Sequence, residues 1–177
     1  MKTLTGLALG AIALGAVAFA APQQTVAQGM GKLMEEIKAK VSNAEHAAVI
    51  HERRSAMRAM GGASKKIGEY VKEGKGSPAE VEAEAKKIAA IAEKIPGLFP
   101  AGTEMTAYAD VTGAKPEIWS KSAEFKKDAE LLASLAMTVA KVAAADGADQ
   151  KTIAAAFGPM GKDGCGTCHK TFRQKLN

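Results

Sequence analysis

Near its C-terminus the chain reads Gly164-Cys165-Gly166-Thr167-Cys168-His169-Lys170, a run that holds both cysteines and one of the three histidines. Cys-x-x-Cys-His is the spacing of covalent c-type haem attachment. In that chemistry the two thiols bond to the vinyl groups of the porphyrin, and the imidazole ligates the iron. Thiols three residues apart lie about one helical turn apart, so both reach one edge of the ring. We therefore predict one covalently bound haem c, held on a helix by Cys165, Cys168 and His169.

Three other uses of this spacing stay open. A thioredoxin-like redox pair also has Cys-x-x-Cys, but it belongs at a helix N-terminus early in a βαβ pattern. A structural zinc site needs four ligands, and this motif offers three with no second ligand pair downstream. A disulfide across so short a loop adds little to folding. Haem attachment fits the whole motif, provided that the chain is exported.

The first 21 residues predict a secretory signal peptide. Lys2 gives a basic start, residues 4–19 are mostly Leu, Ala, Gly, Ile and Val, and Ala18-Phe19-Ala20 fits the small-x-small cleavage rule. A retained membrane anchor is the alternative, but the apolar run is short, rich in Gly and Ala, and followed by polar residues. We expect cleavage after Ala20 or Ala21, no stable membrane anchor, and a periplasmic protein.

Composition and charge narrow the function further. Removal of the leader leaves about 155 residues, enough for one domain with its own core. The formal net charge of +5 falls to +4 without Lys2. Nucleic acid is not an expected partner, because the lysines are spread along helix faces and do not cluster with aromatic residues. No nucleophile–base pair or carboxylate dyad is evident, so a conventional enzyme is not expected.

Hydrophobic spacing predicts four main helices and no strand. The first runs from about residue 45 to 75, the second from Pro78 to Pro96, the third from Pro116 to about 145, and the fourth from Asp149 through the Cys-x-x-Cys-His motif. A long crossover, starting at residue 96, separates the second helix from the third. We predict an all-α, antiparallel four-helix bundle over residues 45–177.

Two features of the sequence lie outside this simple pattern. Residues 22–44 form an N-terminal extension. Within it Met30, Leu33, Met34 and Ile37 share one face of a short amphipathic helix, which should pack on the outside of the bundle or on one of its ends.

Gly61-Gly62 interrupts the first main helix at a cost of about 1 kcal/mol per glycine relative to alanine. Close approach of a flat cofactor or of a neighbouring helix would compensate for this cost, and a kink is the alternative.

With these features the chain resembles the class II cytochromes c, which include high-spin cytochrome c′ and the low-spin c-556 type. The resemblance rests on the Ala-rich helices, on Cys165-x-x-Cys168-His169-x-x-x-Arg173 near the C-terminus, and on Arg53-x-x-x-Met57 in the first main helix. It covers residues 45–177 and implies a four-helix bundle with one covalent haem c. It also implies that a homodimer through the first two helices is one possible assembly.

The resemblance implies a role for each matching residue. Cys165 and Cys168 would carry the thioether bonds, and His169 would be the proximal ligand of the iron. Arg53 would lie near a haem propionate, and Arg173 near the haem edge or its acidic groups. A solvated helix face is the alternative position for both arginines.

Met57 would face the distal side of the iron, where it ligates the metal in low-spin members and only blocks that side in cytochrome c′. Residues 53–62 and 94–100 look closer to the low-spin type. The expected function is therefore periplasmic electron transfer with His169 and Met57 as axial ligands. The alternative is a five-coordinate cytochrome c′ that binds nitric oxide or carbon monoxide. Met60 is a substitute ligand or a core residue, while His46 and His51 are expected at the surface.

Basic residues surround the attachment motif. Lys162, Lys170, Arg173 and Lys175 would form a rim on which a redox partner protein with an acidic surface could dock.

Overall fold

The computed structural model of the protein describes residues 21–176, which are largely helical. Its α-helices are α1 (Ala21–Lys38), α2 (Ala44–Glu73), α3 (Pro78–Ala92), α4 (Glu117–Ser120), α5 (Ser122–Ala143), α6 (Gln150–Pro159) and α7 (Thr167–Phe172). A 3₁₀ turn (Ile95–Leu98) follows α3, and a π-helical turn (Met160–Gly166) joins α6 to α7. We call the continuous unit of α6, the π turn and α7 the C-terminal rod.

Four members form the bundle: α2, α3, α5 and the C-terminal rod. α5 packs against α3 and the rod, and α2 packs against α3 and α6. The described part of the chain contains one isolated β-bridge and no strand. The predicted all-α four-helix bundle is confirmed. The crossover, residues 99–116, connects the end of the 3₁₀ turn to α4.

Side-chain caps fix where the bundle helices begin. The Asn43 side chain accepts hydrogen bonds from the first free N–H groups of α2, and Ser77 does the same for α3. Asp149 and Thr152 form a reciprocal capping box at the start of α6. α2 ends at Gly74, whose φ of 68° lies in the left-handed region. Each of these boundaries falls within one or two residues of the position that the sequence predicts.

Two helix predictions differ from the structure. The third helix, predicted as continuous from Pro116, is broken at Lys121, whose φ of −121° and ψ of 41° leave the helical region. The last helix, predicted to loosen in the glycine-rich run before Cys165, instead changes there from α-helical to π-helical pairing. Pro159 supplies no N–H to the regular ladder, and the chain continues in wider π pairing, in which Thr167 N–H donates to Lys162 O.

Apolar side chains form two separate cores. The main core lies between α2, α3, α5 and the C-terminal rod and is rich in alanine. The second, which we call the small core, joins α1 to the start of α2 and to the crossover; its buried members are Leu33, Ile37, Val41, Ala47, Ile50 and Val111. The extension therefore packs on the outside of the bundle, as predicted.

The structure tests only part of the predictions made for the N-terminal region. The leader assigned to residues 1–21 lies outside the described residues, apart from Ala21. Within residues 21–176, no helix is both long enough and apolar enough to cross a bilayer.

The glycine pair of α2 does not meet a neighbouring helix. An added Cβ at Gly61 or Gly62 would have no heavy atom within 4 Å, and both residues are exposed. The prediction of close helix approach is therefore wrong. Gly61 instead borders a cavity that lies against the attachment motif.

Candidate functional site

Two cavities that share lining residues lie among α2, α3, α5, the crossover and the C-terminal rod, and we call them the first and the second lobe of one site. The first lobe measures about 350 Å³ and the second about 230 Å³. Among the described residues, only Met57, Cys168 and His169 line both lobes, so these three mark the place where the lobes meet. The first volume lies near the lower end of the range of about 300–1,000 Å³ that is typical of ligand sites, and the second lies below it.

The π turn and α7 position the attachment motif along the second lobe. Cys165 lies in the π turn and Cys168 in the first turn of α7, and both line this lobe. Gly164 is buried against α5, where an added Cβ would lie 2.9 Å from Leu132 Cδ1 and 3.4 Å from Leu132 Cα. The missing side chain lets the C-terminal rod approach α5 closely just before the first cysteine.

The two thiols lie in a setting that favours their protonated form. Burial raises the pKa of Cys165, and it raises the pKa of Cys168 to about 12 with further contributions from the charges of Asp128 and Cys165. Redox-active Cys-x-x-Cys pairs have the opposite property, a lowered pKa that keeps a thiolate available. The raised pKa values of the two thiols therefore argue against a thioredoxin-like redox pair.

The His169 imidazole has the properties of a metal ligand. It is half-buried at the junction of the lobes, and its pKa is lowered by burial and then by the charge of Arg173. A neutral imidazole offers a free nitrogen lone pair at neutral pH.

Met57 projects from α2 toward the same junction. It is half-buried, and it is the only methionine of the described residues that lines both lobes. Met60 is 9% exposed and lines the second lobe alone, so it combines a core position with access to that lobe. The structure thus brings Met57 and His169 together from helices that are more than 100 residues apart in sequence.

Arg53 is 3% exposed, which excludes a solvated position for its side chain. Its guanidinium donates to Thr103 Oγ1 at 3.0 Å, to Thr103 O at 2.6 Å and to Thr112 Oγ1 at 2.7 Å. It also lies 4.9 Å from the centre of the Phe99 ring. Burial lowers the Arg53 pKa to about 10, an effect that Glu104 partly opposes, so the group stays charged at neutral pH. Arg53 lines the first lobe and at the same time ties the crossover to α2.

Aromatic rings form one wall of the first lobe. Phe99 of the crossover meets Phe125 of α5 at a centroid distance of 5.0 Å, and Phe125 meets Phe172 of α7 at 5.1 Å, both in edge-to-face geometry. Trp119 stands behind this wall, where its Nε1–H donates to Phe99 O at 3.0 Å. The rings offer a rigid apolar surface to a flat ligand.

Residues 173–176, which follow α7 and which we call the C-terminal tail, close the first lobe beside the crossover. Gln174 N–H donates to Gly113 O at 2.8 Å, Lys115 N–H donates to Phe172 O at 3.1 Å, and the residues between them form the antiparallel bridge. An added Cβ on Gly113 would overlap Gln174 O. Only glycine permits this approach of the two backbones.

Replacement of Gly113 by alanine is expected to separate the tail from the crossover. The overlap is with a backbone oxygen that cannot rotate away, so we expect the holoprotein to lose roughly 2 kcal/mol in its free energy of unfolding. Denaturant titration measures this loss. Gly97→Ala is the matched control, because Gly97 is exposed and has open space around an added Cβ. A Gly113→Ala protein as stable as the control would contradict the tail contact.

Comparison with known proteins places this geometry in a family. A family model described as cytochrome C′ matches residues 48–173. Cytochrome c′ of Pararhodospirillum photometricum is 38% identical over 128 residues, which cover 72% of this chain and 97% of that protein. The chain belongs to the cytochrome c′ family. Residues 22–44 lie outside the matched range.

Proteins named cytochrome c-556 and solved structures of cytochrome c′ are also among the similar proteins. Cytochrome c-556 of Agrobacterium tumefaciens (strain II Chrys) is 34% identical over 127 residues, which cover 71% of this chain and 97% of that protein. A solved cytochrome c′ with an unusual ligand-controlled dimer dissociation is 32% identical, with a TM-score of 0.62 over 72% of this chain and 95% of that chain. The expected resemblance to class II cytochromes c is confirmed.

The cofactor of this cytochrome c′ family is one covalently attached haem c, and the cavity fits that group. Both thiols line the second lobe, where the thioether edge of the ring would lie. The first lobe has aromatic walls and five cationic side chains with no acidic residue among its described lining, which suits the propionate edge. The apolar junction between the lobes holds His169 on one element and Met57 on another.

Sequence reasoning missed several residues that border the haem cavity. Arg54 and Arg58 of α2 line the first lobe, and Asp128 of α5 lines the second. Burial raises the Asp128 pKa, with a smaller contribution from Glu124 that Lys127 partly opposes. The i, i+4 spacing of Arg54 from Arg58 was the only available signal, and it indicated no more than a shared helix face.

The other predicted polar residues fall into two groups. Arg173 is exposed and lines the first lobe, as does Lys175, whereas Lys162 and Lys170 line neither lobe.

The two remaining histidines, predicted at the surface, are half-buried. His46 Nδ1 lies 2.7 Å from Tyr108 Oη of the crossover, and His51 Nε2 lies 3.0 Å from Met30 O of α1.

Proposed function

We propose that this protein is a periplasmic monohaem cytochrome that carries electrons, with low-spin iron between His169 and Met57. One observation supports this assignment above the others. Among the described residues, Cys168, His169 and Met57 are shared by the two lobes, so a ring attached through Cys168 would have an imidazole and a thioether within its site. Those two side chains form the ligand pair of electron-transfer haem proteins.

The side chains around the cavity suit this role. Bound haem supplies a one-electron couple between ferric and ferrous iron. His169 provides a neutral nitrogen ligand, and the soft Met57 sulfur favours the ferrous state and raises the reduction potential. The buried guanidinium of Arg53 also favours the state with less positive charge on the iron, because the interaction is weakly screened inside the protein.

An optical spectrum of the purified holoprotein tests the proposal. We expect the reduced protein to show a sharp α band that carbon monoxide leaves unchanged, since both axial positions are filled. A broad high-spin spectrum that sharpens only when carbon monoxide is added would contradict the axial pair and identify the alternative.

The alternative is a five-coordinate cytochrome c′ that binds nitric oxide or carbon monoxide. The names of the relatives favour it, since one similar solved cytochrome c′ has a ligand-controlled dimer. In this alternative Met57 would cover the distal side of the iron without bonding to it.

Location and assembly form part of the same proposal. Covalent haem attachment together with the predicted leader supports a periplasmic protein. The dimer of the solved relative supports a homodimer as the assembly of this chain. A redox protein with an acidic surface is the proposed partner, and no enzymatic reaction is assigned.

A further inference from the structure

The mouth of the first lobe combines cationic side chains from two distant parts of the chain. α2 contributes Arg53, Arg54 and Arg58, and the end of the chain contributes Arg173 and Lys175. Arg58, Arg173 and Lys175 are exposed, Arg54 is partly exposed, and Arg53 is buried. The cations therefore range from the inside of the lobe to the solvent.

The inner cations already have partners within the protein. Arg53 donates hydrogen bonds to Thr103 and Thr112 of the crossover, and the negative charge of Glu104 stabilises its positive charge. Arg54 donates to Val111 O at 3.1 Å. Burial and the charge of Arg58 lower the Arg54 pKa, and the carboxylate of Glu36 in α1 partly opposes this effect. The two haem propionates would add two negative charges to this inner part of the mouth.

The outer cations do not have such partners. No ion pair within residues 21–176 includes Arg58, Arg173 or Lys175. The two propionates together with Glu104 and Glu36 would supply four negative charges against five cations, so the balance at the solvent edge of the cavity stays positive. A patch of this kind attracts negatively charged surfaces over about 10 Å at moderate ionic strength.

We propose that Arg58, Arg173 and Lys175, which we call the outer mouth, are the docking surface for a redox protein with an acidic patch. Electrons would then cross at the propionate edge of the haem, on the side of α2 and the C-terminal tail. This inference rests on the proposed function as an electron carrier.

The rival surface is the set of lysines beside the attachment motif. Lys162 and Lys170 are exposed but line neither lobe, and they lie on the π turn and on α7. A partner that docked there would approach the thioether edge. Charge reversal at one site of each set separates the two surfaces.

Stopped-flow oxidation of the reduced holoprotein by hexacyanoferrate(III) provides the test. In each event one electron passes from the protein to one hexacyanoferrate(III) ion, which becomes hexacyanoferrate(II). For Arg58→Glu we expect the second-order rate constant to fall by about 3- to 10-fold at low ionic strength and to approach that of the unmodified protein at high salt. With the cationic oxidant tris(phenanthroline)cobalt(III), the same variant should react faster.

Two further variants keep the test decisive. Lys175→Glu lies on the tail and not on α2, and it should reproduce the effect of Arg58→Glu even if one variant is poorly produced. Lys162→Glu carries the same change of charge and should alter either rate by less than about 2-fold. Equal or larger effects of Lys162→Glu, or no effect of the two outer-mouth variants, would overturn the proposal.

The spectrum separates this result from a failure of the proposed function. Each variant should keep the α band and the carbon monoxide response of the unmodified protein, because none of the substitutions replaces Met57 or His169. A protein that lacks the low-spin spectrum before any substitution would contradict the electron-carrier assignment, whatever the rates show.

Discussion

Under the proposed ligation by His169 and Met57, replacement of Met57 by alanine is expected to give a five-coordinate, high-spin haem protein. The substitution removes the thioether that lies at the junction of the two lobes and leaves His169 as the only side-chain ligand there. Loss of a soft ligand that favours ferrous iron should lower the reduction potential by on the order of 0.1–0.3 V, within the ~0.8 V range that axial ligands cover. Absorption spectra and a potentiometric titration measure both changes.

Met60→Ala is the matched control for this experiment. Met60 lies on the same helix and lines the second lobe, but it does not reach the junction. Its replacement should lower stability, as truncation of a buried methionine does, while the α band and the absence of carbon monoxide binding persist. If Met60→Ala changes the spin state and Met57→Ala does not, the sixth ligand has been assigned to the wrong methionine.

Replacement of Arg53 by methionine should destabilise the holoprotein by roughly 2–4 kcal/mol. The change keeps much of the aliphatic volume but removes three hydrogen bonds, and it leaves the buried Thr103 and Thr112 hydroxyls with fewer partners. The crossover should be held to α2 by fewer contacts, those of Arg54, His46 and the small core, and the Phe99 ring should lose its cationic neighbour. Denaturant unfolding followed by circular dichroism measures the effect.

Arg58→Met provides the comparison, since Arg58 lies on the same helix and is exposed. Its stability should stay within about 0.5 kcal/mol of the unmodified protein. Similar losses in the two variants would show that the Arg53 contacts add little to stability, and that its main role lies with the cofactor.

The sequence allowed prediction of the parts of this molecule that depend on local patterns. Helix starts at Asn43, Ser77 and Asp149 follow from side chains that bind the nearest backbone N–H groups, so a window of four residues contains the information. The attachment motif is equally local, because five consecutive residues hold both thiols and the imidazole. The bundle fold followed from these helices and from the family resemblance.

The contacts that shape the cavity join residues that are distant in sequence, and no local sequence pattern predicts them. Arg53 binds Thr103 and Thr112 across 50 and 59 residues, and neither threonine stands out in the crossover. Gly113 is required because of a backbone oxygen of the tail, which no local pattern near residue 113 reveals. The break at Lys121 was missed for the opposite reason, since the apolar spacing continues in phase across it.

The two cores stabilise different parts of the protein against local unfolding, since the small core holds α1 and the main core holds the bundle. The small core shares no buried residue with the main core, so we expect the α1 segment to open without loss of the packing that encloses the cavity. Amide hydrogens of α1 should exchange with solvent through fluctuations that leave the cofactor enclosed. Because the small core also includes Ala47 and Ile50 of α2 and Val111 of the crossover, loss of α1 would uncover these three side chains and leave the main core in place.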